Sequence, residues 1–335
     1  MGWVTALDAA SRGATDTVLS GGDDGYVRCW DLDLGLLPAR PASTEDTAAV
    51  TAMEVVADGT SFVLSGRADG MVFVLDPESG ADARSPLSVS RHGVRCLRAA
   101  RLADGWAVLS GSYDGTLNAV SLDGKPLIDA PIRAHDRAFR SLCVFRGVVL
   151  TGGDGGVVMW DPKYWRPAEK PFDADPEVYA VAATRAEGCD VLICGGYAGI
   201  HLMDLATGRR MAGPLLPDRL CRALTVTELS GRPVVVSAGE TGVQFWDPAD
   251  GSPTAPPVLT DEVATIAEVN VGDGRAVAWG DQRGVTLWSL AERRELARID
   301  LGFAVTSVAG CGANAVVVSA LHGIYRLDVR LDGEW

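Results

Sequence analysis

Within one short stretch the chain places His135, Thr151, Asp154 and Trp160. A ring nitrogen, a hydroxyl and a carboxylate are the types from which a nucleophilic relay is built: the imidazole activates the hydroxyl and the carboxylate orients the imidazole. The surrounding sequence does not support that chemistry. It holds no G-x-S-x-G turn, no Gly-Lys-Ser/Thr phosphate loop and no H-E-x-x-H pair. The acidic loop GGDDG at 21–25 lacks the further spaced carboxylates of a calcium loop. Cys189 and Cys194 have no second Cys/His pair at zinc spacing. No catalytic residue is assigned, and no cofactor or metal is expected. The other chemistry-bearing set is cationic: Arg91, Arg95, Arg137, Arg140, Arg219 and Arg222. A guanidinium is a rigid five-donor fork suited to carboxylate or phosphate.

The elements that must position these groups repeat from end to end. Each unit opens with a short alternating apolar run, continues with a second run ending in small residues, turns at a Gly, and closes on an apolar residue followed by Asp or Ser. The first runs are VTALDAA, VTAMEVV, VRCLRAA, FRSLCVF, VYAVAAT, CRALTVT, VATIAEV and VTSVAG. The third runs end at Trp30, Leu75, Val120, Trp160, Met203, Trp246, Trp288 and Leu327, at successive spacings of 45, 45, 40, 43, 43, 42 and 39. Alternation over such lengths with Val, Ile, Leu and Thr marks half-buried strands, and this period is that of propeller blades. The turns Asp24-Gly25, Asp69-Gly70, Asp114-Gly115 and Asp154-Gly155 are expected to be two-residue hairpins, with Asp-Gly supplying the positive φ angles. Pro-rich segments between units (Pro38 and Pro41, Pro126 and Pro131, Pro214 and Pro217) fit outer strands or loops, because Pro cannot donate to a central ladder.

The strings SGGDDGYVRCWDL (20–32), SGSYDGTLNAVSL (110–122), TGGDGGVVMWDP (151–162) and ETGVQFWDP (240–248) resemble the WD40-repeat family, and the resemblance runs over essentially all 335 residues. The family's Gly-His pair ahead of the first strand is almost absent; only Ala134-His135-Asp136 and Arg91-His92-Gly93 approach it. The resemblance implies an all-β fold: one WD40-type propeller domain spanning 1–335, with eight blades of mostly four antiparallel strands, or alternatively seven. Only Leu331–Trp335 follow the eighth unit, so the last blade's outer strand is expected to be missing or very short, or its edge covered by a partner or a second copy. It also implies that His135, Thr151, Asp154 and Trp160 form a structural hydrogen-bond network rather than an active site.

By the same resemblance, the second residue of each first strand lies at the mouth of the central channel. That register reads Thr5, Thr51, Arg95, Arg140, Tyr179, Arg222, Ala264 and Thr306. Arg91, Arg137 and Arg219 enter the same strands, and Arg67, Tyr113, Tyr197 and His322 sit in turns reaching the same face. Acids gather opposite, at Glu45, Asp46, Asp261, Glu262 and Asp300. The expected function is a non-catalytic protein-interaction scaffold whose Arg-rich arc grips acidic groups of a partner protein or peptide. The alternative is an enzyme or small-molecule binder, for example in natural-product or peptide maturation, using the central pocket of that face.

Composition narrows the classes further. With 30 basic and 44 acidic residues the net charge is −14, which repels phosphate, so neither nucleic acid nor an anionic membrane is an expected partner. No apolar run is long enough to span a bilayer, and the first residues do not read as a secretion signal. Seven Cys scattered along strand-like runs suggest reduced thiols in a cytoplasmic setting. Among the basic residues, 27 Arg against 3 Lys suggest a GC-rich bacterial genome.

Overall fold

Every repeat unit folds on itself, because each alternating run finds its hydrogen-bonding partner in the next run along the chain. In this computed structural model the described residues are 4–12, 15–31, 35–36, 40–41, 48–58, 60–76, 82–102, 105–168, 172, 174–216, 219–271, 274–311, 315–320 and 323–328. They form eight antiparallel sheets whose strands follow chain order outward from an innermost strand. The innermost strands are Val4–Arg12, Val50–Asp58, Val94–Leu102, Phe139–Phe145, Val178–Ala186, Cys221–Leu229, Thr265–Val271 and Val305–Cys311. Each touches the next, and Val305–Cys311 touches Val4–Arg12, so the sheets close as a single all-β propeller. Among the described residues the eighth sheet has three strands; Leu331–Trp335 lie outside those residues. No helix among them is long and apolar enough to cross a membrane.

The expected outer positions of Pro are seen in the short strands Arg40–Pro41, Arg166–Pro167 and Arg210–Leu215, each paired on the outer side of its sheet. The turns differ from expectation. Gly25, Gly70 and Gly115 hold φ of 77°, 84° and 87°, whereas the preceding Asp residues are not in the left-handed region. The N–H of each Gly donates to the carbonyl three residues earlier, on Gly22, Arg67 and Ser112, at 3.0–3.1 Å. These are three-residue loops, a type I turn closed by a left-handed Gly. The Asp serves a different purpose: its carboxylate accepts the N–H two residues on, from Tyr26 at 3.2 Å, Met71 at 3.0 Å and Thr116 at 3.0 Å.

Neighbouring sheets meet at one recurring contact. The first side chain of an inner strand (Val50, Val94, Phe139, Val178, Cys221, Val305) is almost fully buried. It lies on a Gly of the preceding sheet's second strand: Gly21, Gly66, Gly111, Gly152, Gly195 and Gly280, respectively. Adding a methyl group at Gly111 would drive it into the Phe139 ring. Directly after this first residue the register shifts, between Val4 and Ala6, Val50 and Ala52, Val94 and Cys96, Phe139 and Ser141, Val178 and Ala180, Cys221 and Ala223, and Val305 and Ser307. The second residue of the inner strand is therefore the unpaired member of a β-bulge, whose side chain leaves the ladder's alternation.

Gly111→Ala is expected to lower stability by about 1–3 kcal/mol through overpacking against Phe139. Gly274→Ala, where the new methyl would meet only a carbonyl at 3.4 Å, serves as the control in thermal unfolding. Equal melting temperatures for the two variants would contradict this account of sheet-to-sheet contact.

Candidate functional site

The bulged residues do two kinds of work. Where the residue is Thr, its hydroxyl clasps the next sheet: Thr5 donates to the Val50 carbonyl, Thr51 to that of Val94, and Thr306 to that of Val4 at 3.3 Å. Where it is Arg or Tyr, the side chain reaches over the end of the propeller at which the inner strands begin and the second-to-third-strand turns lie.

Arg95 is half-buried and stacks its guanidinium on the Tyr113 ring, 5.2 Å from the centroid. It makes no ion pair with any described residue. Arg140 is held from several sides: its Nε and Nη2 both lie 3.0 Å from Asp154 Oδ1, Glu177 is 4.0 Å away, and the Tyr179 ring centroid is at 4.2 Å. Tyr179 in turn meets Tyr197 edge to face at 5.3 Å. Tyr113 and Tyr197 are 48% and 52% exposed. The structure thus brings Arg95, Tyr113, Arg140, Tyr179 and Tyr197 together across the third to fifth sheets. Arg222, in the sixth, is paired with Glu262 instead. Arg91, Arg137 and Arg219 are exposed and make no ion pair with described residues.

Other expected positions fall elsewhere. Arg67 is only 1% exposed; its Nη2 bonds Asp69 at 3.2 Å and its guanidinium covers Phe73 at 5.2 Å, so packing within its own sheet withdraws it from the face. His322, Glu45 and Asp46 lie outside the described residues. On the acidic flank, Asp300 carries its own partner, Arg283, at 2.8 Å. In the fourth sheet, Trp160 Nε1 donates to Thr151 Oγ1 at 3.0 Å, and His135 Nε2 lies 3.0 Å from the same hydroxyl. Trp246 and Ser237 repeat the Trp-to-hydroxyl bond at 2.9 Å in the sixth sheet. The Asp154 carboxylate is not part of that chain; it turns to Arg140 and to the Ala138 N–H. Burial pushes His135 down to about 4, so the ring is neutral at pH 7.

Three charged residues at the fifth position of the first inner strands are absent from the sequence-based site: Asp8, Glu54 and Arg98. The signal was present, since the same register is Cys, Ala or Thr in the next three units. Both carboxylates work as inter-sheet clasps. Asp8 accepts the N–H of Ala9 at 2.8 Å and of Val55 at 2.7 Å, and Glu54 accepts that of Ala99. Burial raises both acids, Glu54 to about 7, with Arg98 pulling the other way.

An all-β ring closed through its first and last inner strands, with a turn-and-bulge face at one end, defines a β-propeller. Residues 2–31 match the family model for the WD domain, G-beta repeat. WD repeat-containing protein RUP1 of Arabidopsis thaliana is 30% identical over 156 residues, which is 44% of this chain and 38% of that protein. The match therefore spans little more than a third of that relative. The crystal structure of the computationally designed Ika8 protein is similar in fold, with a TM-score of 0.79 at 22% identity, covering 98% of this chain and 96% of that one. The chain is thus similar to WD40-repeat proteins over residues 2–31 and over 44% of its length.

The raised acid at Glu54 has a defined pH signature. Its folded-state value lies above the unfolded one, so its contribution to stability is full below about 4.5 and is lost as pH rises through about 7. Glu54→Gln keeps an acceptor for Ala99 and removes the charge. It is expected to stabilise the protein at pH 8 by about 1–2 kcal/mol, after discounting for partial hydration, or about 2–4 °C. That gap closes by pH 5. A pH-independent gap in paired melting curves would refute the assignment.

Proposed function

We propose that this propeller is a non-catalytic scaffold that binds a partner protein or peptide through the face bearing Arg95, Tyr113, Arg140, Tyr179 and Tyr197, with Arg95 as the contact for an acidic group. The observation that carries this reading is the pairing state of the arginines. Arg140 and Arg222 are already neutralised by Asp154 and Glu262, whereas Arg95 has only the Tyr113 ring. A guanidinium fixed by an aromatic plane is preorganised, loses little entropy on accepting a carboxylate, and belongs to the residue types that dominate binding energy. Exposed Tyr113 and Tyr197 flank it with apolar area. In this reading Arg140 is a positioning residue that holds Tyr179 and, through it, Tyr197, and Arg91, Arg137 and Arg219 contribute field rather than contact. Free cysteines at 96, 143, 189, 194 and 221 support a reducing, cytoplasmic setting.

The test is affinity capture with wild type beside Arg95→Ala, Tyr197→Ala and Arg219→Ala, followed by measurement of Kd for the captured protein. Arg95→Ala and Tyr197→Ala are each expected to weaken binding about tenfold, with Arg219→Ala within twofold, and binding is expected to weaken as salt rises. Undiminished affinity in the first two variants would overturn the proposal.

A further inference from the structure

Beneath the rim, the second, third and fourth inner strands border an open cavity of about 200 Å³, lined by Met53, Arg95, Cys96, Arg98, Arg140 and Ser141 among others. Three guanidinium groups line this one small space, and they differ in how they are paired. Arg140 is satisfied by Asp154. Arg98, an exposed side chain, is not: among the described residues it makes one hydrogen bond, from Nη1 to the Leu97 carbonyl at 3.2 Å, and no ion pair, so its fork is open to solvent. The nearby carboxylates of Asp8 and Glu54 attract it from beyond ion-pair distance while accepting backbone N–H groups of Ala9, Val55 and Ala99. Most of a five-donor fork is thus left for a ligand.

The backbone explains why Arg95 and Arg98 converge. Residues three apart on a regular strand face opposite sides. The bulge between Val94 and Cys96 breaks that alternation, and both side chains line the same cavity. Arg95 stands at the rim over Tyr113; Arg98 lies three residues further along the strand. Together they form a two-step path for negative charge from the face into the channel.

We infer that this cavity is a carboxylate-binding subsite in which Arg98 is the inner anchor for an acidic side chain of an extended partner segment, admitted between Arg95 and Arg140. The inference deepens the proposed function and rests on it. The volume decides the size of the occupant. It is well below that of a pocket for a drug-sized molecule and several times that of a water molecule, which suits one Asp or Glu side chain and excludes a helix or a folded edge. The chain's net charge of −14 does not oppose this, because screening over about 8–10 Å leaves the local guanidinium cluster in control.

The subsite can be tested without the partner. Met53 lines the cavity, and its methyl group, labelled with carbon-13, reports on it by NMR; the exposed Met211 is the internal reference. Titration with glutarate, the free analogue of an acidic side chain, is expected to move the Met53 signal saturably and leave Met211 in place. Neutral glutaramide is expected to move neither. Arg98→Gln should weaken the glutarate response about tenfold or more, as expected for loss of a charge-assisted contact, and Arg98→Lys should restore part of it and show that the site still folds. A response to glutaramide, an unchanged titration in Arg98→Gln, or inorganic phosphate acting at the same concentration as glutarate would overturn the carboxylate assignment. The two proposals separate cleanly. Glutarate binding lost in Arg98→Gln while Arg95→Ala and Tyr197→Ala retain the partner would sink the rim reading alone. The reverse pattern would sink the subsite alone.

Discussion

The structure depends on how one sheet sits against the next. The first side chain of each inner strand lies on a Gly in six of the described junctions. A bulge follows the first residue in seven of the inner strands. Contact and bulge recur at the same register, the first setting how closely sheets approach and the second the direction of the residue that follows. Thr at that position clasps the neighbour, as Thr306 does where the last sheet meets the first. Arg or Tyr there is sent over the face. Assembly and recognition draw on the same register, and the residue type decides which one each sheet contributes to.

Electrostatics then divides the face. The chain has an excess of acid, and three cations near the rim find it: Arg140 with Asp154, Arg222 with Glu262, Arg283 with Asp300. Exposed pairs of this kind contribute little to stability, but they remove charge from the surface that a partner meets. Arg95 and Arg98, which make no ion pair with described residues, share one strand and one cavity. Asp8 and Glu54, which would otherwise cancel Arg98, are occupied by backbone N–H groups of the neighbouring strands. Burial makes that arrangement costly for the acids, and the cost is balanced by the inter-sheet bonds they form.

Much of this was legible in the residues. The run-turn-run pattern located the strands, and the Pro-rich segments marked the outer positions. The second-residue register singled out Arg95, Arg140 and Tyr179, and the turns supplied Tyr113 and Tyr197. Arg67 was misplaced because a turn residue's exposure depends on what packs beneath it, here Phe73. Asp154 was assigned to the His135 network on resemblance, yet its carboxylate lies nearer to Arg140, a bulged residue whose direction alternation does not predict. Arg98 was passed over for the same reason: without the bulge it belongs on the side opposite Arg95.

The sequence by itself determined the repeat, the strand order within each sheet and the residue types available at the rim, because alternation and turn chemistry act over a few neighbouring residues. Only the tertiary structure decided which arginines keep a free charge. That outcome depends on through-space distances between groups up to 40 residues apart, such as Arg222 and Glu262 or Arg140 and Glu177, and on a bulge that the alternation of residue types does not reveal.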